Sequence, residues 1–243
     1  LLSLTAMFLP EPYVHFPLVV ALLTEGGAWL LRQRALHLHA LGEEARRLGV
    51  AMNAFGDTRE SSQAVDLRAR VPAALLKSAE AFEDPNYYAS GAPAGLPRLA
   101  DLLDESSFWS KHLYRRAAVE SFWLFGLIVA GLFVGGLLAA PFASASTAVV
   151  MSRAAVILLS LLFSVDELGS ALGWQRSANA AACVNHQLTH VGSNPEPLLL
   201  TLFADYSVAT ATAAPIPQRI YDREKARLNA LWVRRPHPEV PIG

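Results

Sequence analysis

The sequence predicts an all-α, polytopic membrane protein with two transmembrane helical hairpins and a cytosolic helical domain. Three observations carry that prediction. First, Ser121 to Ser152 contains no Asp, Glu, Lys or Arg, and roughly 20 apolar residues at 1.5 Å rise cross the ~30 Å hydrocarbon layer of a bilayer. Second, 53% of the residues are hydrophobic and 17% charged, against ~25% charged in ordinary soluble domains; the mean hydropathy is +0.30. Third, Arg32, Arg34, Arg46, Arg47, Arg115, Arg116 and Arg176 all fall outside the two short hairpin turns. By the positive-inside rule they place the polar regions in the cytoplasm.

In chain order, Leu1–Leu9 reads as the end of a first span whose beginning precedes this sequence, since no initiator Met is present. "PEP" at Pro10–Pro12 makes a tight turn, and Val14–Leu31 is a second span ending at "RQR". Residues 1–31 thus form hairpin 1. Residues 32–118 form a cytosolic helical region. There "RALHLHALGEEARRLGVAMNAF" aligns Leu36, Ala40, Leu41, Ala45, Leu48 and Met52, and sets Glu43, Glu44, Arg46 and Arg47 opposite. "SSQAVDLRARVPAALLKSAEAF" predicts one or two further helices capped by Ser61/Ser62. The Pro- and Gly-dense "EDPNYYASGAPAGLPRL" is a loop that packs through Tyr87 and Tyr88. From Arg98 a helix without a breaker runs into a third span, Ser121–Ala140, which Pro141 closes.

The fourth span begins near Ala148 and reaches Asp166, so residues 119–166 form hairpin 2. Residues 167–243 are a second cytosolic helical region, broken at "GSNPEP" and ending in the charged helix "PIPQRIYDREKARLNALW". Leu198–Ala214 is apolar, but Asp205 at its middle would cost about 2.5–3.5 kcal/mol on insertion. It reads as a buried cytoplasmic helix.

Net charge is −1, which gives no global attraction to nucleic acid. The single cysteine, Cys183, rules out an intramolecular disulfide framework. Cys183, His186 and His190 share a helix face at metal-like spacing, but a fourth ligand is missing and Gln187 stands where a helical metalloprotease needs Glu. They are weak metal candidates, and neither a metal nor a cofactor is expected. His37 and His39 read as surface or interface residues. No phosphate loop, nucleophile elbow or enzyme-like carboxylate pair is present, so no catalytic residue is assigned.

Charge within spans is the stronger functional signal, because each such group needs water or a partner. Glu25 in "LLTEGGAWLL" and Arg153 in "VVMSRAAVI" are the candidate pore-lining or intramembrane charges. Gly126, Gly131 and Gly135, with Gly136, form a small-residue pattern suited to close helix packing, within the hairpin or between copies. The basic pairs Arg46/Arg47, Arg68/Arg70 and Arg234/Arg235 could hold an anion, although residues 32–116 carry twelve basic against eleven acidic side chains. A confined pocket fits that balance better than a broad nucleic-acid surface.

The order hairpin, helical insert, hairpin, tail resembles the four-helix transmembrane effectors of bacterial anti-phage systems associated with nucleotidyltransferases, of Hailong type or related. The stretch "EDPNYYASGAPAGLPRLADLLDESSFWSKHLYRRAAVESFW" carries the likeness in detail. The resemblance implies an inner-membrane homo-oligomer, closed until infection, that then opens as an ion channel or pore and depolarises the membrane. It also implies a nucleotide or oligonucleotide ligand made by a partner nucleotidyltransferase. The alternative is a membrane-anchored helical scaffold or receptor without ion conduction.

Overall fold

A computed structural model describes residues 15–56, 61–80, 88, 90–139, 167–190 and 195–235. Among them the regular structure is entirely helical: α1 His15–Phe55, α2 Ser62–Arg70, α3 Ala73–Glu80, α4 Leu96–Ala139, α5 Glu167–Leu188, α6 Pro195–Ala211 and α7 Gln218–Val233. The chain divides into two compact units, Leu1–Ala35 with Ala118–Leu172, and Leu36–Ala117 with Gly173–Gly243.

The described part of the first unit contains stretches of α1, α4 and α5. Its apolar side chains face outward: Leu23, Trp29 and Leu31 on α1, and Trp123, Leu127 and Phe133 on α4, are between 59% and 72% exposed. Among the described residues one helix, Leu96–Gly135, is long and apolar enough to cross a membrane, and 18% of its apolar window is buried. A soluble core helix would be mostly buried, whereas most of this apolar window is exposed among the described residues. Spans one and four, with Arg153, lie outside the described residues. The helix does not stop at "RQR": α1 continues through Arg32 and Arg34 to Phe55. No Pro or Gly-rich stop stands there, and Arg continues a helix well.

The second unit is a helical assembly whose core draws Val50 and Ala54 from α1, Leu99, Leu102 and Leu103 from α4, Val184 and Leu188 from α5, and Leu199, Leu202 and Tyr206 from α6. Tyr88 packs on this cluster. Helix α7 joins through buried Ile220 and Leu228 and through Trp232, whose ring lies 5.3 Å from that of Phe108. Helix α1 stops at Gly56, which takes the left-handed φ of 66°, a conformation that favours glycine after a helix end. A Cβ there would also stand 3.0 Å from that of Ala94. Gly95, at φ 132°, donates its N–H to the Ala54 carbonyl at 2.7 Å, tying the start of α4 to the end of α1. Ser61 caps α2 by accepting from the Ala64 N–H at 3.2 Å, and α2 and α3 separate at Val71 and Pro72.

Two packing expectations are corrected. The inward face of α1 is set by Leu41, Val50 and Ala54, whereas Leu36, Ala40 and Ala45 are exposed. Glu43 and Arg46, assigned to the solvated face, are half-buried instead. Polar groups can point inward when they satisfy one another, as this pair does. Helix α6 starts at Pro195, a residue well suited to a first helical position. It buries only one side, through Leu199, Leu202, Tyr206, Ser207 and Thr210, and leaves Leu200, Asp205 and Val208 exposed.

Candidate functional site

A cavity of about 580 Å³ lies in the second unit, within the range of small-molecule sites. Helical spacing aims each wall at it. Glu43 and Arg46 come from α1; Glu105, Ser106, Trp109, Ser110, Leu113 and Tyr114 from successive turns of α4; Tyr206 and Thr210 from α6; and Tyr221, Lys225 and Asn229 from α7. Tyr88 and Ile216 complete the lining.

The Arg46 charge is spent within the wall. Its Nε and Nη2 donate to Glu43 Oε2 at 3.0 and 2.8 Å, and Nη2 also donates to Thr210 Oγ1 at 2.6 Å. The guanidinium lies 5.1 Å from the Tyr206 ring centroid. Burial opposes the charge of Arg46, but Tyr206 and the hydrogen bond and charge of Glu43 outweigh it and push its pKa up. The Tyr114 phenol is also pushed up, by burial first and then by Glu43 and Tyr206. Both groups therefore stay in their ordinary protonation states at neutral pH. Tyr206 is fixed at its far end, where its hydroxyl meets Ser110 Oγ at 2.7 Å and donates to the Ser106 carbonyl at 3.1 Å.

Trp109 and Tyr221 form the aromatic side, with ring centroids 6.1 Å apart and a 33° tilt. The Lys225 ammonium stands 5.8 Å from the Tyr221 centroid. Glu43 and Arg46 neutralise each other, and Glu105 and Lys225 add one charge of each sign to the lining. Such a site suits a planar ring with polar edges, stacked on indole or phenol and bonded through hydroxyl and amide groups.

Behind this wall, α4 carries a buried polar network. Asp104 Oδ1 accepts from Asn185 Nδ2 at 2.6 Å and pairs with Arg235 Nη2 at 2.9 Å. Asn185 Nδ2 also reaches Ser107 Oγ at 3.2 Å, and Lys111 Nζ donates to Asn185 Oδ1. The Arg235 guanidinium covers the rings of Phe108 and Trp232 at 5.5 and 5.7 Å. Arg235, two residues past the end of α7, is thereby fastened to the middle of the polar half of α4. Burial pushes the Lys111 pKa down, Arg235 adds to this, and Asp104 opposes it.

The sequence-derived candidates separate in space. Of the basic residues, Arg46 lines the cavity. Arg47 Nε donates to the Glu43 carbonyl at 3.3 Å. Arg70 pairs with Glu44 at a shallow depression that Asp66 and Gln63 also line, and Arg68 is exposed. Cys183, His186 and His190 are all exposed on α5; Gln187 Nε2 donates to Cys183 Sγ at 3.2 Å, and the two imidazoles lie 4.9 Å apart. No group of three metal-ligating side chains gathers among the described residues. His37 is exposed, and His39 Nε2 lies 3.0 Å from the Ala213 carbonyl. A Cβ added at Gly126, Gly131 or Gly135 would meet open space among the described residues. Glu25 lies on α1.

The aromatic side of the cavity was not anticipated from the sequence. Its one local signal is the row Glu105, Trp109 and Leu113 with Ser106 and Ser110, one polar-aromatic face within "ESSFWSKHL". No family model, curated protein or solved structure matches this chain.

Proposed function

We propose that the protein is an oligomeric inner-membrane effector of anti-phage defence, in which a ligand held by the cytosolic helical unit controls an ion channel or pore. One observation carries the reading: α4 is a single helix of 44 residues that lines the cavity with six side chains and then continues into the exposed apolar run beyond Ser121. A ligand that moves Trp109 or Ser110 acts on the same helix that carries the apolar run. The resemblance to nucleotidyltransferase-associated effectors adds the defence role and a nucleotide or oligonucleotide as ligand. A base fits the stacking and hydrogen-bonding groups of the cavity, with Lys225 as the cation nearest a phosphate.

Conduction is assigned to several copies arranged about an axis, with both hairpins of each copy in the membrane. Leu23, Trp29 and Leu31 of α1 and Trp123, Leu127 and Phe133 of α4 are exposed, so among the described residues one copy offers no water-filled path. Gating then requires the ligand to bind closed and open forms with different affinity. Recordings from purified protein in planar bilayers, with mono- and oligonucleotides added or removed, test this. Nucleotide-dependent steps that vanish in Trp109→Ala support the proposal, and silence in every condition overturns it. A second reading, a membrane-anchored receptor without conduction, draws on the same cavity and predicts ligand quenching of Trp109 fluorescence with no current.

A further inference from the structure

The cavity wall that α4 and α6 build fixes the direction of its own hydrogen bonds. Tyr206 of α6 meets oxygens on two successive turns of α4, the Ser106 carbonyl at 3.1 Å and the Ser110 hydroxyl at 2.7 Å. A phenol has a single O–H, and a carbonyl only accepts, so the tyrosine proton goes to Ser106. The contact with Ser110 is then satisfied in one way, with Ser110 Oγ donating to the phenol oxygen. A helical serine otherwise donates back to the carbonyl four residues earlier, which here is that of Ser106; Tyr206 occupies that carbonyl and takes the serine proton instead. Ser110 lines the cavity, and with its hydrogen committed to the wall its oxygen offers a ligand lone pairs alone.

Tyr206 keeps this direction because it is held along its whole length. It is buried in the core cluster, and the Arg46 guanidinium lies 5.1 Å from its ring centroid. Arg46 is anchored in turn to Glu43 and to Thr210, one turn further along α6, and Thr210 Oγ1 stands 3.1 Å from the Tyr206 carbonyl. Re-aiming the phenol proton would give up the bond to Ser106 inside a packed wall, where an unmade hydrogen bond is expensive. Trp109, the residue before Ser110, and Tyr221 supply the aromatic faces of the same cavity. A flat ring stacked there has its edge, not its face, left for the hydroxyl groups of the wall.

We infer that Tyr206 is a positioning residue that sets Ser110 as a hydrogen-bond acceptor, so that the cavity selects planar heteroaromatic ligands whose edge carries an N–H donor. This rests on the reading that the cavity holds a base-bearing ligand. A ring that presents C–H or a bare nitrogen to Ser110 leaves the serine lone pairs unmatched, and a site built to bond an N–H rejects the analogue that lacks it.

The test compares ligands that differ by that donor alone. The full chain in detergent is titrated calorimetrically with adenosine monophosphate and with cytidine monophosphate, each against the analogue in which hydrogen replaces the amino group. Wild-type protein is expected to bind at least one amino form about tenfold more tightly than its analogue, the ratio for about 1.4 kcal/mol, a readout that needs no variant. Tyr206→Phe leaves the serine hydrogen uncommitted, so Ser110 can then donate as well as accept, and the ratio is expected to fall toward unity. Ser110→Ala is expected to level the pair by removing the acceptor. A merely structural role for Tyr206 would weaken both members of a pair equally; an unchanged ratio in variants whose melting profiles show them folded overturns the proposal. Equal affinities within both pairs in the wild type also overturn it, and leave the nucleotide reading of the cavity standing. Absence of binding by every nucleotide overturns that reading and the proposal together.

Discussion

Replacing Asp104 with Asn removes a formal negative charge from a buried network that keeps Arg235 and Lys111. The side chains of Asp104 and Arg235 are 2% and 17% exposed and meet at 2.9 Å, and Asn185 donates to the same carboxylate oxygen. In the variant the guanidinium faces a neutral amide inside the core, with the Lys111 ammonium sharing Asn185. Removing one partner of a buried pair costs about 3–5 kcal/mol, because the surviving charge remains buried and uncompensated. For a unit of this size 1 kcal/mol shifts the melting midpoint by roughly 2–4 °C, so a drop of roughly 6–20 °C is expected. The assay is thermal unfolding of the full chain in detergent, followed by far-ultraviolet circular dichroism. Asp104→Asn combined with Arg235→Gln should lose less than the two single losses added together. A single-variant loss below about 1 kcal/mol, or strict additivity, would refute the claim that this pair fastens the end of α7 to α4.

Leu103→Ala, at a position 1% exposed in the α4 core, should cost about 2–5 kcal/mol in the same assay. Tyr206→Phe removes a hydroxyl bonded to Ser110 and to the Ser106 carbonyl; a loss of about 1 kcal/mol is expected, with weaker nucleotide quenching of Trp109 fluorescence. His112 gives a pH signature. Its folded-state pKa lies below the ordinary value, through burial first and then its cationic neighbours, so the unfolded chain binds more protons. Stability should therefore be complete above about pH 6.5 and decline below it until the folded-state pKa is passed. Melting midpoints of His112→Gln should fall less over that interval. Gly56→Ala forces a side chain into φ 66° against Ala94 and should cost about 1–2 kcal/mol.

What the sequence made legible follows from where the determining forces are local. The all-helical class came from periodicity and from an uncharged run too long for a core helix, and the passage of α4 from Arg98 into the apolar stretch followed from the absence of any breaker. The Ser61 cap was readable because capping needs only neighbouring residues. The cavity was not readable, since Trp109, Tyr206 and Tyr221 meet only after three helices pack. The Asp104–Arg235 pair, far apart along the chain, is a tertiary fact as well. Glu43 and Arg46 were placed on the wrong face because periodicity assigns charge outward, and it cannot register that Thr210 and Tyr206 wait inside to satisfy them. Among the basic pairs the same limit applies: Arg46 and Arg47 are neighbours in sequence, yet one lines the cavity and the other bonds its own helix.

Ligand-gated conduction depends most on the apolar half of α4 being immersed in lipid. Vesicles containing phosphatidylcholine brominated along its acyl chains test this through Trp123, with Trp123→Phe subtracted to isolate its emission. Quenching by the acyl-chain bromines and shielding from aqueous iodide are the results predicted. Emission that iodide quenches and bromolipid leaves unchanged would place Trp123 in water and contradict both the membrane segment and the gating built upon it.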